Sequence, residues 1–316
     1  MRYIEELKEG TRVSDIYLCK MRTSLVTKNG KPYDSLILQD KTGTIDGKIW
    51  DPNSMGIEEC DALDYIEVGG EVISFNGMLQ LNIKRVRKVS EGEYDERDYL
   101  PVSDRNIDEM YDELKGIINS LSNPYLKQLV TNMLVLNKEL SQLYRSSSAA
   151  KSVHHGFIGG LLEHSLSVTK VCDFFATNYP LLNRDLLLSA AMLHDIGKTK
   201  ELSLFPTNDY TDEGNLLGHI VMGMEMVAIE INKIEGFPVA LGNELKHCIL
   251  AHHGELEYGS PKKPALMEAV ALSFADNVDA KMETFKEIIN APKEDNSNWM
   301  GFNRLFDSNL RKTTME

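Results

Sequence analysis

Arg184-Asp-Leu-Leu-Leu-Ser-Ala-Ala-Met-Leu-His-Asp-Ile-Gly-Lys198 is apolar almost throughout until it reaches His194 and Asp195. Its length and its Leu and Ala content predict a buried helix. A neutral imidazole and an ionised carboxylate at the end of such a helix are costly to bury alone. A divalent cation removes that cost, because it pairs with the carboxylate and accepts the imidazole lone pair. The stretch therefore predicts a metal site in a helical domain. Gly197 is expected to break the helix. Lys198 is either a phosphate contact or a solvated lysine at the helix end.

Working outward, all eight histidines lie between His154 and His253, and the rest of the chain has none. His164 falls one turn into a helix predicted over Gly159–Phe175. His219 falls near the start of a helix opening at Gly214. His252 and His253 stand at the end of another, which Gly254 stops. Asp276 lies in the middle of a helix predicted over Pro264–Lys281, among Ala, Val and Leu, and so also needs a partner. His247 sits five residues before His252, off the same face, and reads as structural. His154 and His155 precede their helix and line either a substrate entrance or plain surface. Met222, Met224 and Met226 read as core packing.

Composition limits what the chain can do. Its 316 residues suit two domains, with 42% apolar and 26% charged residues, as in ordinary soluble proteins. No run is expected to reach membrane-span length, and Met1–Lys8 has no signal-peptide core. The expected location is the cytoplasm. Cys19, Cys60, Cys172 and Cys248 form no CxxC and read as reduced core residues. The net charge of −14 argues against a protein that coats duplex DNA. Residues 1–100 carry 14 Lys and Arg against 19 Asp and Glu, so any path for a nucleic acid must be local. A single-strand binder that relies on stacking remains compatible.

Upstream the pattern is β. Val13–Cys19, Tyr33–Leu38, Thr44–Trp50, Asp64–Phe75 and Met78–Ile83 read as strands, with hairpin signals at Asn29-Gly30 and Asn76-Gly77. Five short strands in about 80 residues suggest a small closed barrel. Tyr17, Tyr33, Trp50, Phe75 and the basic run from Lys84 and Arg85 to Lys88 are its stacking and phosphate candidates. Glu91–Asp98 reads as a linker. Helical pattern resumes at Ile107–Ile118 and Pro124–Tyr144. The expected architecture is an all-β barrel domain over 1–98, a helical linker region over 99–150, and an all-α domain over 151–316.

Leu36-Ile-Leu-Gln-Asp-Lys-Thr-Gly-Thr-Ile-Asp-Gly-Lys-Ile-Trp50 resembles strands of nucleic-acid-binding OB-folds. The order His164, His194-Asp195, Asp276, with the tracts Leu193-His-Asp-Ile-Gly-Lys198 and Ala275-Asp-Asn-Val-Asp-Ala280, resembles the HD superfamily of metal-dependent phosphohydrolases. That resemblance implies an all-helical bundle and metal ligation by His164, His194, Asp195 and Asp276. His219 and His252 correspond to the extra ligands of two-metal HD proteins, with Asp195 bridging. His253 either ligates as well or contacts phosphate. Two such ions clamp a scissile phosphate and activate water. A barrel ahead of an HD domain, with the tracts His154–His164, Leu216–His219 and Ala251–Gly254, is similar to the YhaM-type 3′→5′ exoribonucleases. This similarity implies release of 5′-mononucleotides from single-stranded RNA, with single-stranded DNA as a further substrate. It also implies Mn²⁺, or Co²⁺, Mg²⁺ or Fe²⁺ in its place, catalysis through Asp195 and Lys198, and a homo-oligomer. Substrate contacts fall to His155, Lys198, His253, Tyr33, Trp50, Lys84 and Arg85. Hydrolysis of a small nucleotide or cyclic dinucleotide, with the barrel regulatory, is the alternative.

Overall fold

The computed structural model describes residues 2–151, 155–290 and 297–314. His154 lies outside the described residues. The chain divides into two units. One runs through Val102 and includes Phe205–Thr207; the other comprises Ser103–Leu204 and the chain from Asn208 onward.

In the first unit β1 (Arg12–Val26), β2 (Pro32–Asp40), β3 (Gly43–Ile49), β4 (Tyr65–Phe75) and β5 (Met78–Lys88) close a barrel in the order β1-β2-β3-β5-β4. Only the β3–β5 pair is parallel. This is a five-stranded OB-fold barrel. Alternate positions face inward, so Leu36, Leu38, Ile49, Ile66, Val68 and Leu81 share one buried core. Three strands outrun their predicted spans: β2 by a few residues, and β1 and β5 by more. β1 continues to Val26 past a bulge between Cys19 and Met21. β5 continues through the basic run, because Val86 supplies another inward side chain.

The second unit begins with α1 (Ile107–Ser120), α2 (Pro124–Thr131) and α3 (Lys138–Ser146). The single helix expected over Pro124–Tyr144 is thus two, separated by a π turn at Asn132–Leu136. Asn137 leaves the helical conformation, and its side chain accepts from Leu140 N to cap α3. These helices share a core with the histidine-bearing ones: Met110, Leu129 and Tyr144 cluster with Leu161, Leu187, Met192 and Leu245. Tyr144 also donates to the Met192 carbonyl.

Next come α4 (Gly160–Asn178), α5 (Arg184–Leu193), α6 (Lys198–Glu201), α7 (Asp212–Ile231), α8 (Val239–Leu250) and α9 (Met267–Asn290). α7 departs from the expectation that no run reaches membrane-span length, since by length and composition alone it is apolar enough to cross one. It is broken at Gly218 and packs its Gly223 against Gly197. A hairpin of β6 (Trp299–Asn303) and β7 (Ser308–Arg311) ends the described chain. Its Phe306 meets Phe285 of α9 edge-on. All four cysteines are buried thiols.

Candidate metal centre

Asp195 stands at the middle of the histidine window, just past α5, and is 2% exposed. Its Oδ2 lies 3.3 Å from His164 Nε2 and 3.4 Å from His194 Nε2. Its Oδ1 lies 3.4 Å from His219 Nε2 and 3.6 Å from His252 Nε2. Asp276 Oδ1 joins the first set, 3.2 Å from His164 Nε2. His253 joins the second, beside His219 and His252. One carboxylate therefore faces two separate ligand sets with its two oxygens.

Local backbone explains how five elements converge. α5 ends at Leu193, and His194 and Asp195 fall in the turn after it. Gly197 is expected to break this helix, but α5 already ends at Leu193 and the Gly197 backbone is ordinary helical. A Cβ there would lie 2.0 Å from His219 O and 2.7 Å from Gly223 N, so the missing side chain lets α7 touch the turn. Gly218 has φ 73°, which breaks α7 and starts its second segment at His219. α8 stops at Leu250, so His252 and His253 occupy the following turn rather than the helix end.

Each ring is held from behind. His164 Nδ1 donates to Asp279 Oδ2 (2.7 Å) and His219 Nδ1 to Glu201 Oε1 (3.0 Å). His194, His252 and His253 donate from Nδ1 to the carbonyls of Ala191, Ile249 and Tyr258, at 2.8, 2.7 and 2.8 Å. Those oxygens only accept, so each Nδ1 carries the hydrogen and each neutral ring presents a bare Nε2. His164 Nε2 and His194 Nε2 then face each other at 3.2 Å. Two lone pairs at that distance, beside two carboxylates, require a proton or a cation between them. Asp195 Oδ1, His219 Nε2 and His252 Nε2 are buried and make no hydrogen bond. The donor set of imidazoles and carboxylates suits a divalent transition ion. These residues fit a metal.

The electrostatics agree. Burial opposes charge on His164, yet Asp195, Asp276 and Asp279 hold its pKa well above the ordinary imidazole value. Burial and neighbouring His194 push His252 well below that value. Burial likewise lowers His253. Asp195 resists burial through Lys198 and His194 and stays ionised. Lys198 is not a solvated helix-end lysine: its Nζ lies 2.6 Å from Asp195 Oδ2.

One candidate, His155, falls away from the centre's surface, and His247, expected to be structural, lies outside both ligand sets. His155 is neither entrance nor surface; it is 3% exposed and donates to Asp279 Oδ2, behind His164. His247 accepts from Ala265 N. The sequence reading passed over Asp279 and Glu201. Asp279 lies one turn after Asp276, and its signals are that i+3 spacing and its place in the Ala275–Ala280 tract. Glu201 is brought near His219 by the docking of α6 on the start of α7, where Thr211 N donates to the Glu201 carbonyl and Gly214 packs against it. Supporting carboxylates behind metal-ligating histidines are worth about 10–100-fold in metal affinity. Asp279→Asn is expected to weaken metal binding by this factor in the His164 half, and Glu201→Gln in the His219 half. Isothermal titration with Mn²⁺ checks this; unchanged affinity in both variants would refute the assignment.

In the barrel, Tyr33 and Trp50 stack with centroids 5.1 Å apart, and Trp50 is half exposed. The β4–β5 register slips at Gly69/Gly70, which leaves Lys84 as an extra residue, so Lys84 and Arg85 are both exposed. Tyr17, by contrast, is core: it is fully buried and donates to Arg2 O. Arg87 and Lys88 are engaged by Glu67, Glu93 and Asp64.

Residues 161–281 match the HD domain family. The match takes in His164, His194, Asp195, His219, His252, His253 and Asp276, and an HD domain implies a metal-dependent phosphohydrolase. Among solved structures, the second OB-fold domain of replication protein A from Methanococcus maripaludis is similar at 22% identity, over 30% of this chain and 98% of that one, with a TM-score of 0.23.

Proposed function

We propose that this chain is a metal-dependent 3′→5′ exoribonuclease that frees 5′-mononucleotides from single-stranded RNA, and also accepts single-stranded DNA, using two divalent ions with Mn²⁺ preferred. The single observation that carries this is Asp195, whose two oxygens face two ligand sets. Divalent ions held there would lower the pKa of water and offset charge building up on a phosphate. The residues do the rest. The tied Nδ1 atoms fix the imidazoles so that their Nε2 atoms stay aimed inward. Lys198 brings an ammonium beside Asp195, within reach of a phosphate oxygen. The stacked Tyr33–Trp50 pair and exposed Lys84 and Arg85 supply the base-stacking and backbone contacts that a single strand requires. Direction of attack follows from the similarity of His154–His164 and Ala251–Gly254 to the YhaM-type enzymes.

Digestion of end-blocked strands in Mn²⁺ tests the reading. The 5′-blocked strand is expected to fall to mononucleotides, while the 3′-blocked strand stays intact. Equal loss of the 3′-blocked strand would overturn the direction. Two intact strands, with hydrolysis of a small nucleotide or cyclic dinucleotide, would overturn the exoribonuclease.

A further inference from the structure

A cleft of about 400 Å³ opens beside the metal centre, large enough for a small ligand. His253 forms one end of it and Asn277, next to Asp276, another part of its wall. The α9 side is a single stripe, Val270, Ser273, Phe274 and Asn277, at helical spacings of three and four residues. The facing side is the turn that carries Tyr258, whose carbonyl also holds the His253 ring. Phe274 and Tyr258 are 64% and 66% exposed, although Leu272 and Ala275 beside Phe274 are fully buried. Large rings left in water next to a reactive centre mark a binding surface.

The charge balance of the cleft narrows its occupant. Lys263, the cationic lysine in its lining, is paired with Glu255 at 2.6 Å. Among the described lining residues these two charges offset one another, so the cleft carries no net excess of either sign. What the cleft offers is aromatic and aliphatic surface, plus the hydroxyl of Ser273 and the amide of Asn277, which both donate and accept. A flat heteroaromatic ring with polar edges matches that lining.

We propose that this cleft seats the nucleobase of the nucleotide whose 5′-phosphate meets the metal centre, with Phe274 and Tyr258 as stacking surfaces and Ser273 and Asn277 at the base edge. The proposal rests on the nucleotide chemistry proposed above and is tested apart from strand cleavage. Affinities of a 5′-mononucleotide and of ribose 5-phosphate are measured in Mn²⁺ buffer. The nucleotide is expected to bind about tenfold more tightly, the loss that follows removal of one stacked base. Phe274→Ala, at an exposed position, should erase that preference without changing ribose 5-phosphate affinity or bound manganese. Equal binding of the two ligands, binding of neither, or a preference that survives in Phe274→Ala would overturn the site. A base preference abolished by Phe274→Ala, in a protein that leaves RNA intact, would uphold the site and overturn only the exoribonuclease reading.

Discussion

Asp195→Asn is expected to reduce phosphoester hydrolysis by roughly a thousandfold or more and to strip the protein of bound metal. The substitution keeps the shape of the side chain and removes its charge. Both ligand sets lose their shared anion at once, since His164 and His194 face one oxygen and His219 and His252 the other. A second effect shows in metal-free protein. Lys198 keeps its buried ammonium but loses the carboxylate 2.6 Å away. Leaving a buried charge without its partner costs about 3–5 kcal/mol, so metal-free Asp195→Asn should melt earlier than metal-free wild type. Metal content by mass spectrometry, turnover and a melting curve read the three effects. A variant that retains two ions and full turnover would remove Asp195 from the centre.

Gly197→Ala is expected to be one of the most damaging single-methyl changes in the helical unit, with Gly160→Ala, whose Cβ would lie 2.0 Å from the His155 carbonyl oxygen. The new Cβ would meet the His219 carbonyl at 2.0 Å and the Gly223 nitrogen at 2.7 Å, both backbone atoms that cannot swing aside. Overpacking of this kind costs about 1–3 kcal/mol or more. For a domain of this size that is a fall in melting temperature of roughly 2–12 °C. Pushing α7 outward also carries His219 away from Asp195, so metal loss should accompany the destabilisation. Gly223→Ala is the control: its Cβ would meet Gly197 N at 3.1 Å and an Ile196 methyl at 3.3 Å, a milder contact. Equal melting temperatures for Gly197→Ala and wild type would show that the close approach is not structurally required.

These residues also show where a sequence can be read and where it cannot. His194 and Asp195 stood out because a long apolar helix ended on two groups that cannot be buried alone. Asp276 stood out as a carboxylate among Ala, Val and Leu, and the barrel strands announced themselves through β-branched and aromatic runs bounded by hairpin turns. Gly197 was legible as a glycine but not in its purpose: a turn and a close approach look alike until α7 is placed. Glu201 carries no local signal, because its meaning comes from a histidine 18 positions away, reached where α6 docks on α7. Tyr17 is one of several stacking candidates in the sequence, and it proves to be core. Three successive buried residues, Tyr17, Leu18 and Cys19, break the two-residue period there, and the N-terminal segment accepts the phenol's hydrogen bond. His155 precedes a helix, which suggests a substrate entrance or plain surface; only the fold brings Asp279 across to it.

The ligand atoms around Asp195 come from positions between His164 and Asp276, on segments far apart along the chain. An ion bound by all of them acts as a clasp that closes several chain loops together, and loop closure restrains the unfolded ensemble most when the loops are long. Occupancy and stability are then one equilibrium. Each tenfold rise in free ion above its dissociation constant adds about 1.4 kcal/mol per site. The cell's supply of divalent metal would thereby govern how long the helical unit persists as well as how fast it works.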